Sequence, residues 1–386
     1  MTTGTQIEPG IDGRLVAVVC LMGAFALSIG FLYPALALVL EARGVAPGVI
    51  GAQAAMTGFG IAVGSLATPW LAIRFGVWRI GAVALALTIV LTLGFGVFQS
   101  LASWFVLRLL VGLTIPIIFV ISETWINELA PERLRGRIVA IYISILSGLF
   151  ALGPILLTVI GHEGMRPFVV TAAIIGVMAL PYWWLRDMPN LEPIPFSGFV
   201  KTLAIIPVLL LAVSACGYVD GATLGLWVVY AIERGLDADG SARTLTAFIV
   251  GNMLLQVPIG WIADRTSRRA VLVVCAGGAF FGALVLDLVP IDGIIIWPFL
   301  IVWGALCFGV WTLAMTLAGT HLRGSRLISA NAGFSVMWGV GSLVGAAVTG
   351  GAMEVLGTFG LPISVAAIYV ALFAASLVIK PVRSVG

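Results

Sequence analysis

Between Leu15 and Leu40 the chain runs for 26 residues without an Asp, Glu, Lys or Arg, and comparable apolar runs recur to the C-terminus. A helix of about 20 apolar residues crosses the hydrocarbon core of a bilayer. Runs of this length, separated only by short charged or Gly/Pro breaks, leave too little polar surface to clothe a soluble fold. Of 386 residues, 61% are hydrophobic and 10% charged, against roughly a quarter charged in soluble domains. In lipid every backbone N–H and C=O must be satisfied within the protein, and runs this long achieve that as helices. The chain is expected to be an all-α membrane protein.

Twelve spans are expected, near 15–40, 48–73, 80–98, 102–127, 138–160 and 167–185, then 203–231, 243–263, 270–290, 294–319, 327–351 and 359–379. The longest polar connection, "RDMPNLEPIPFSGFVK", falls midway. It divides the chain into a six-helix bundle over 1–185, a cytoplasmic linker over 186–201 and a second six-helix bundle over 202–386. The polar stretch Met1–Asp12 lacks the basic start of a signal peptide, so the first run is read as a span rather than a leader.

Charge placement orients the bundle. With the N-terminus inside, 15 of the 20 basic residues fall in cytoplasmic segments, whereas Arg43, Arg166, Arg234 and Arg243 lie outside and Arg108 lies within a span. The positive-inside rule then places both termini in the cytoplasm, and the chain is expected in the cytoplasmic (inner) membrane. The net charge of +3 follows from this bias, and no nucleic-acid partner is expected. Cys20, Cys216, Cys275 and Cys307 sit inside apolar runs without CxxC spacing, so neither a disulfide framework nor a metal site is expected. His162 and His321 fall in opposite loops, and no P-loop or nucleophile–base set appears. Neither cofactor, metal nor enzymatic activity is expected.

The chain repeats itself. "LRG" at 134–136 recurs at 322–324, "PWLAIRFG" at 69–76 aligns with "GWIADRTS" at 260–267, and "GFLYP" at 30–34 aligns with "GYVDG" at 217–221. Three matches in one order, at offsets of 187 to 191, indicate duplicated halves, an arrangement by which many secondary transporters place a site between two bundles.

Four segments carry a resemblance to a known family. Gly260, Asp264, Arg265 and Arg269 fit the pattern Gly-x-x-x-Asp-Arg-x-Gly-Arg-Arg, with Ser267 at the later glycine. The first half keeps Arg74 and Gly76, with Ile73 at the aspartate and Pro69 at the first glycine. Arg108–Gly112 ("RLLVG") fits Arg-x-x-x-Gly, and Glu128–Gly136 ("ELAPERLRG") fits Glu-x-x-Pro-x-x-x-Arg-Gly. The chain therefore resembles the major facilitator superfamily over nearly its whole length. "SETWINE" (122–128) is similar to a bacterial branch with a Glu-Ser/Thr-Trp motif ending the fourth span, which implies no particular substrate. The resemblance implies a cytoplasmic gate built from Asp264, Arg265, Arg269, Arg74, Gly76, Glu123, Glu128 and Arg135. A carboxylate at a helix end can accept hydrogen bonds from another helix and pair with arginines, holding two bundles together at one rim. Plain positive-inside signalling would account for the arginines, though not for Asp264.

Charge inside a span costs ~2.5–3.5 kcal/mol on insertion scales, so such residues are functional candidates. Arg108 is either an anion-binding or proton-coupling group or a clamp on neighbouring backbone carbonyls. Asp220, between Gly217 and Gly221, is the first candidate for proton coupling. Its alternatives are a partner for Arg108 or a polar clamp. Glu123 lies 15 residues from Arg108, about 22 Å along a helix, and fits better with Arg135 or Arg74. Asn252 with Gln256, and Asn331 with Ser335, are spaced four apart. The family resemblance, in which spans one, four, seven and ten line the cavity, places Tyr33, Arg108, Asp220, Trp227 and Trp311 near it. For the tryptophans the alternative is helix packing, and for Tyr33–Pro34 a kink. Trp78, Trp104, Trp183, Trp184 and Trp297, near span ends, are expected at the interface, as are Asp287 and Glu354. The whole reads as a monomeric secondary transporter of a small organic solute, driven by protons and working by alternating access. Efflux of amphipathic compounds and a non-transporting receptor or scaffold are the rivals. Substrate, direction and coupling ion are not legible.

Overall fold

The computed structural model describes residues 13–129, 135–188, 203–322 and 325–378, and among them every regular element is helical. The first set of helices is α1 (Gly13–Ala42), α2 (Pro47–Phe75), α3 (Val77–Val97), α4 (Leu101–Leu129), α5 (Arg135–Ile160) and α6 (Arg166–Ala179). The second set is α7 (Pro207–Glu233), α8 (Ala238–Arg265), α9 (Arg268–Val285), α10 (Ile296–His321), α11 (Ser325–Leu356) and α12 (Gly360–Val378). Ten stretches of the described residues are long and apolar enough to cross a membrane, one of them, Ala330–Val378, running through α11 and α12. Within α5 only Ser144–Ile160 forms a shorter apolar stretch. Most of the expected linker, residues 189–201, lies outside the described residues.

Local chemistry sets the helix ends. α2 and α7 begin on Pro47 and Pro207, whose missing N–H costs nothing in a first turn. α2 stops at Gly76, at φ 86°, whose N–H bonds Ala72 O; a side chain would be strained there. Asp237 caps α8 by accepting from Gly240 N at 2.7 Å, and Ser267 caps α9 by accepting from Ala270 N at 3.3 Å. α6 is shorter than its apolar run: from Leu180 to Leu185 it tightens into a 3-10 turn, where Pro181 has no N–H to extend the α-helical ladder.

The packing of the first set is repeated in the second. α1 packs on α4, α5 and α6, α2 on α4, and α3 on α4 and α6; α7 packs on α10, α11 and α12, α8 on α10, and α9 on α10 and α12. Between the sets α2 meets α11, α5 meets α8, and α7 meets both α1 and α2. We call the face where α1 begins proximal and the opposite face distal. The α2–α11 seam occupies the distal part of both helices, where Gly51, Gly58, Gly339 and Gly350 put backbone against backbone.

Two arginine clamps repeat the same design at the distal ends. Arg43, after α1, donates from Nη1 to Gln99 O at 3.0 Å and from Nη2 to Gln99 Oε1, with its guanidinium 4.7 Å from the Trp104 ring centre. Arg234, after α7, pairs with Asp287 at 2.7 Å and donates to the carbonyls of Asp287 and Val289. Each clamp fastens the end of the first helix of a set to the end of the third. Two sequence expectations change as a result. Trp104 is fully buried, its indole N–H donating to Phe98 O at 2.6 Å, because the Arg43 clamp covers it. Asp287 lies at the distal end of its helix but does not face water: its side chain is only 12% exposed, with Oδ1 accepting from Arg234 and the Tyr230 hydroxyl. Trp183 and Trp184 are exposed, as a lipid-facing belt requires.

Candidate functional site

A cavity opens among α1, α2, α3 and α4. Its walls include Phe25, Ile29, Leu32, Val111, Ile115 and Ile118, and its polar members are Ser28, Tyr33, Thr57, Thr88, Thr92 and Arg108. Arg108 is 1% exposed. Its guanidinium lies over the Tyr33 ring, 4.4 Å from the centre, and its Nε and Nη1 have no hydrogen-bond partner. Cation–π contact offsets part of the desolvation of such a group, but it leaves the N–H donors unused. The backbone-clamp alternative for Arg108 is therefore absent from this arrangement.

Tyr33 is flanked by Thr57 of α2 and Ser342 of α11, and lies within electrostatic reach of both Arg108 and Asp220. Neither Thr57 Oγ1 nor Ser342 Oγ has a hydrogen-bond partner. Asp220 is buried on α7, facing the indole of Trp338 on α11. Arg108 and Asp220 do not form an ion pair; Tyr33 stands between their fields. α7 reaches α11 because Gly217 and Gly221 lie against the backbone of Trp338 and Ser342, where a Cβ would collide with a carbonyl. One cation, one phenol and one carboxylate thus meet where the two sets of helices cross.

The remaining candidates fall elsewhere. Trp227 is fully buried in the second set, stacked on Phe248 and donating to Thr244 Oγ1 at 3.0 Å. Trp311 packs edge-on to Trp338, ring centres 5.0 Å apart, and so adjoins Asp220 through it. Gln256 donates to Asn252 Oδ1 at 2.5 Å and accepts from the Thr312 hydroxyl, linking α8 to α10. Asn331 is exposed on α11.

The proximal group is also divided. Asp264 pairs with Arg268 one turn on, at 2.7 Å, Arg265 lies over Trp261, and Arg269 donates to the carbonyls of Ser376 and Leu377 at the end of α12. These contacts bind the second set to itself. Gly76 serves as the α2 stop, and a Cβ at Gly260 would meet open space. Arg74 and Glu128 are exposed. Glu123 lies near Tyr142, and the Arg135 side chain lies outside the described residues. Sequence reasoning passed over Thr57 and Ser342. For Ser342 a signal existed in the Gly341-x-x-x-Gly345 spacing around it, which marks a close helix contact. For Thr57 there was none.

The family model described as the Major Facilitator Superfamily matches residues 18–244, more than half of the chain. The chain belongs to the major facilitator superfamily. It is a multi-pass membrane transporter rather than an enzyme. Among curated members it is 28% identical over 268 residues to the uncharacterized MFS-type transporter YfkF of Bacillus subtilis (strain 168), covering 67% of this chain and 68% of that one. It is 25% identical over 297 residues to the uncharacterized MFS-type transporter YcaD of Salmonella arizonae, covering 76% of each. Among solved structures, the nucleoside transporter NupG superposes with TM-score 0.76 at 12% identity, covering 96% of this chain and 100% of the other. A bacterial homolog of the human lysosomal transporter Spinster, inward-facing and unoccupied, superposes with TM-score 0.76 at 13% identity, covering 95% and 96%. At such identities the likeness is one of fold.

Proposed function

We propose that this superfamily member is a proton-coupled secondary transporter of a small organic solute in the cytoplasmic membrane. Its twelve spans form two six-helix bundles over 1–185 and 202–386, with both termini and the proximal face in the cytoplasm. The observation that carries this reading is the meeting of Arg108, Tyr33 and Asp220, all buried and without an ion pair between the two charges, where the two sets of helices cross. A carboxylate without a fixed counter-charge can gain and lose a proton as the seam around it opens to one face or the other. The repeated packing gives each seam a partner related by the duplication, α2–α11 with α5–α8, as rocking of one bundle against the other requires.

Purified protein in proteoliposomes loaded with a pH-sensitive dye, challenged with a panel of small organic solutes, is expected to show a solute-dependent pH change. Asp220→Asn is expected to abolish proton-driven uptake and leave solute exchange partly intact. Unaltered proton-driven uptake in that variant would remove Asp220 from the coupling role.

A further inference from the structure

We propose that the proximal corner of the first set, formed by the α2–α3 turn and the Leu180–Leu185 turn after α6, binds the headgroup of an anionic phospholipid. The two duplicated corners differ in how their arginines are answered. In the second set Asp264 pairs with Arg268 at 2.7 Å, Arg269 donates to the carbonyls of Ser376 and Leu377, and Arg265 lies over Trp261. In the first set Ile73 stands where Asp264 does, and neither α2 nor α3 contains an Asp or Glu. Arg74, Arg79 and Arg186 are exposed, and none of them forms an ion pair among the described residues. Asp187 is the acidic neighbour in sequence, and it too is exposed and outside any described ion pair. The first corner is therefore net positive, with its charge directed outward.

Packing fixes these groups on one corner. The Tyr182 hydroxyl donates to Trp78 O at 2.9 Å, the Trp78 indole donates to Tyr182 O at 3.4 Å, and the two rings stack. This pair ties the turn that carries Arg74 and Arg79 to the turn that ends at Arg186. Arg186 lies over two of the rings, 5.2 Å from the centre of Trp183 and 5.8 Å from that of Trp78. Trp70, Trp183 and Trp184 are each more than half exposed, and Phe75 packs edge-on against Trp70. Indoles at the ends of membrane helices settle at headgroup level, and arginines at that level attract anionic lipid. A guanidinium meets a phosphate through two parallel hydrogen bonds. Free phosphate would use the arginines and leave the rings in water. A phospholipid uses both, with Leu66, Trp70 and Ile73, exposed on one stripe of α2, as an apolar track for its acyl chains.

Native mass spectrometry of the purified full-length protein in detergent, titrated with phosphatidylglycerol and with phosphatidylcholine of the same acyl chains, tests this. Phosphatidylglycerol is expected to be retained about 10-fold more tightly, since one arginine near an anionic headgroup is worth about five-fold. Arg74→Gln, Arg79→Gln and Arg186→Gln should each lower that preference by about two- to five-fold. Ile73→Asp gives the first corner the carboxylate of the second and removes no arginine, and it should lower the preference as well. Arg268→Gln, at the corner already answered by Asp264, should leave it unchanged. Equal retention of the two lipids by the unaltered protein would overturn the proposal. So would a preference that survives all three first-corner arginine variants, or one that Arg268→Gln lowers as much as they do. The comparison of the two lipids uses the unaltered protein, so misfolding of a variant does not blunt it.

Discussion

Among single residues, Arg108 and the Arg234–Asp287 pair show two ways of keeping charge away from water. Arg108 has an aromatic face and idle N–H groups; Arg234 has a carboxylate, a phenol and two carbonyls. The second arrangement satisfies its charge within the protein, whereas the first leaves Nε and Nη1 without a partner. Removing one member of a buried pair leaves the other charged and alone, at a cost of about 3–5 kcal/mol. Arg234→Ala is therefore expected to lower the melting temperature in detergent markedly, whereas Arg234→Met combined with Asp287→Leu recovers most of it. A double variant as unstable as the single one would show that shape at this site, rather than charge, governs stability. Arg108→Gln, which removes a charge that has no partner to orphan, is expected to cost little stability by the same measurement.

At the scale of helices, the proximal motif and the distal seam carry different weights. The Asp264–Arg268 pair lies within one turn, with the Asp264 side chain 63% exposed, and exposed pairs contribute about 0–1 kcal/mol. Asp264→Asn is expected to shift the inward–outward balance no more than a few-fold, read as cysteine accessibility at the two faces. Arg269 closes the end of α12 through Ser376 and Leu377, so Arg269→Ala should raise accessibility of a cysteine at 376 more than Asp264→Asn does. A larger effect from Asp264→Asn would restore that carboxylate to a locking role between bundles. The α2–α11 seam depends on missing side chains instead. A Cβ at Gly58 would overlap the Leu343 backbone, and rigid backbone cannot yield as a flexible side chain can. Gly58→Val is expected to open the distal seam, seen as increased labelling of cysteines placed along α11.

For the whole molecule, the repeated packing and the two arginine clamps make each set of helices a stiff unit, leaving the seams between sets as the places able to change. Ala54 and Ala346 pack together in the distal seam, beside Gly225 of α7. Cysteines at 54 and 346, oxidised to a disulfide, are expected to stop transport, and reductant to restore it. Transport at full rate in the crosslinked protein would mean that this seam does not open in the cycle.

The sequence by itself determined the class of fold. Lipid leaves a long uncharged run no alternative to a self-satisfied helix, so length and hydropathy were enough to find helices, and three short matches in one order pointed to duplication. It also picked out Arg108 and Asp220, because charge within a span is conspicuous wherever it sits. What only the tertiary structure decided is which neighbours each charge has. Asp287 and Trp104 are covered by Arg234 and Arg43, and Asp264 pairs with Arg268 across the turn between α8 and α9. Thr57 is an ordinary hydroxyl in the chain and Ser342 is marked only by the glycines around it; both gain their place beside Tyr33 when Gly217, Gly221 and Gly339 bring α2, α7 and α11 into backbone contact. Hydropathy is a property of a segment and can be summed along it. A hydrogen bond between helices depends on rotation and register, which packing fixes.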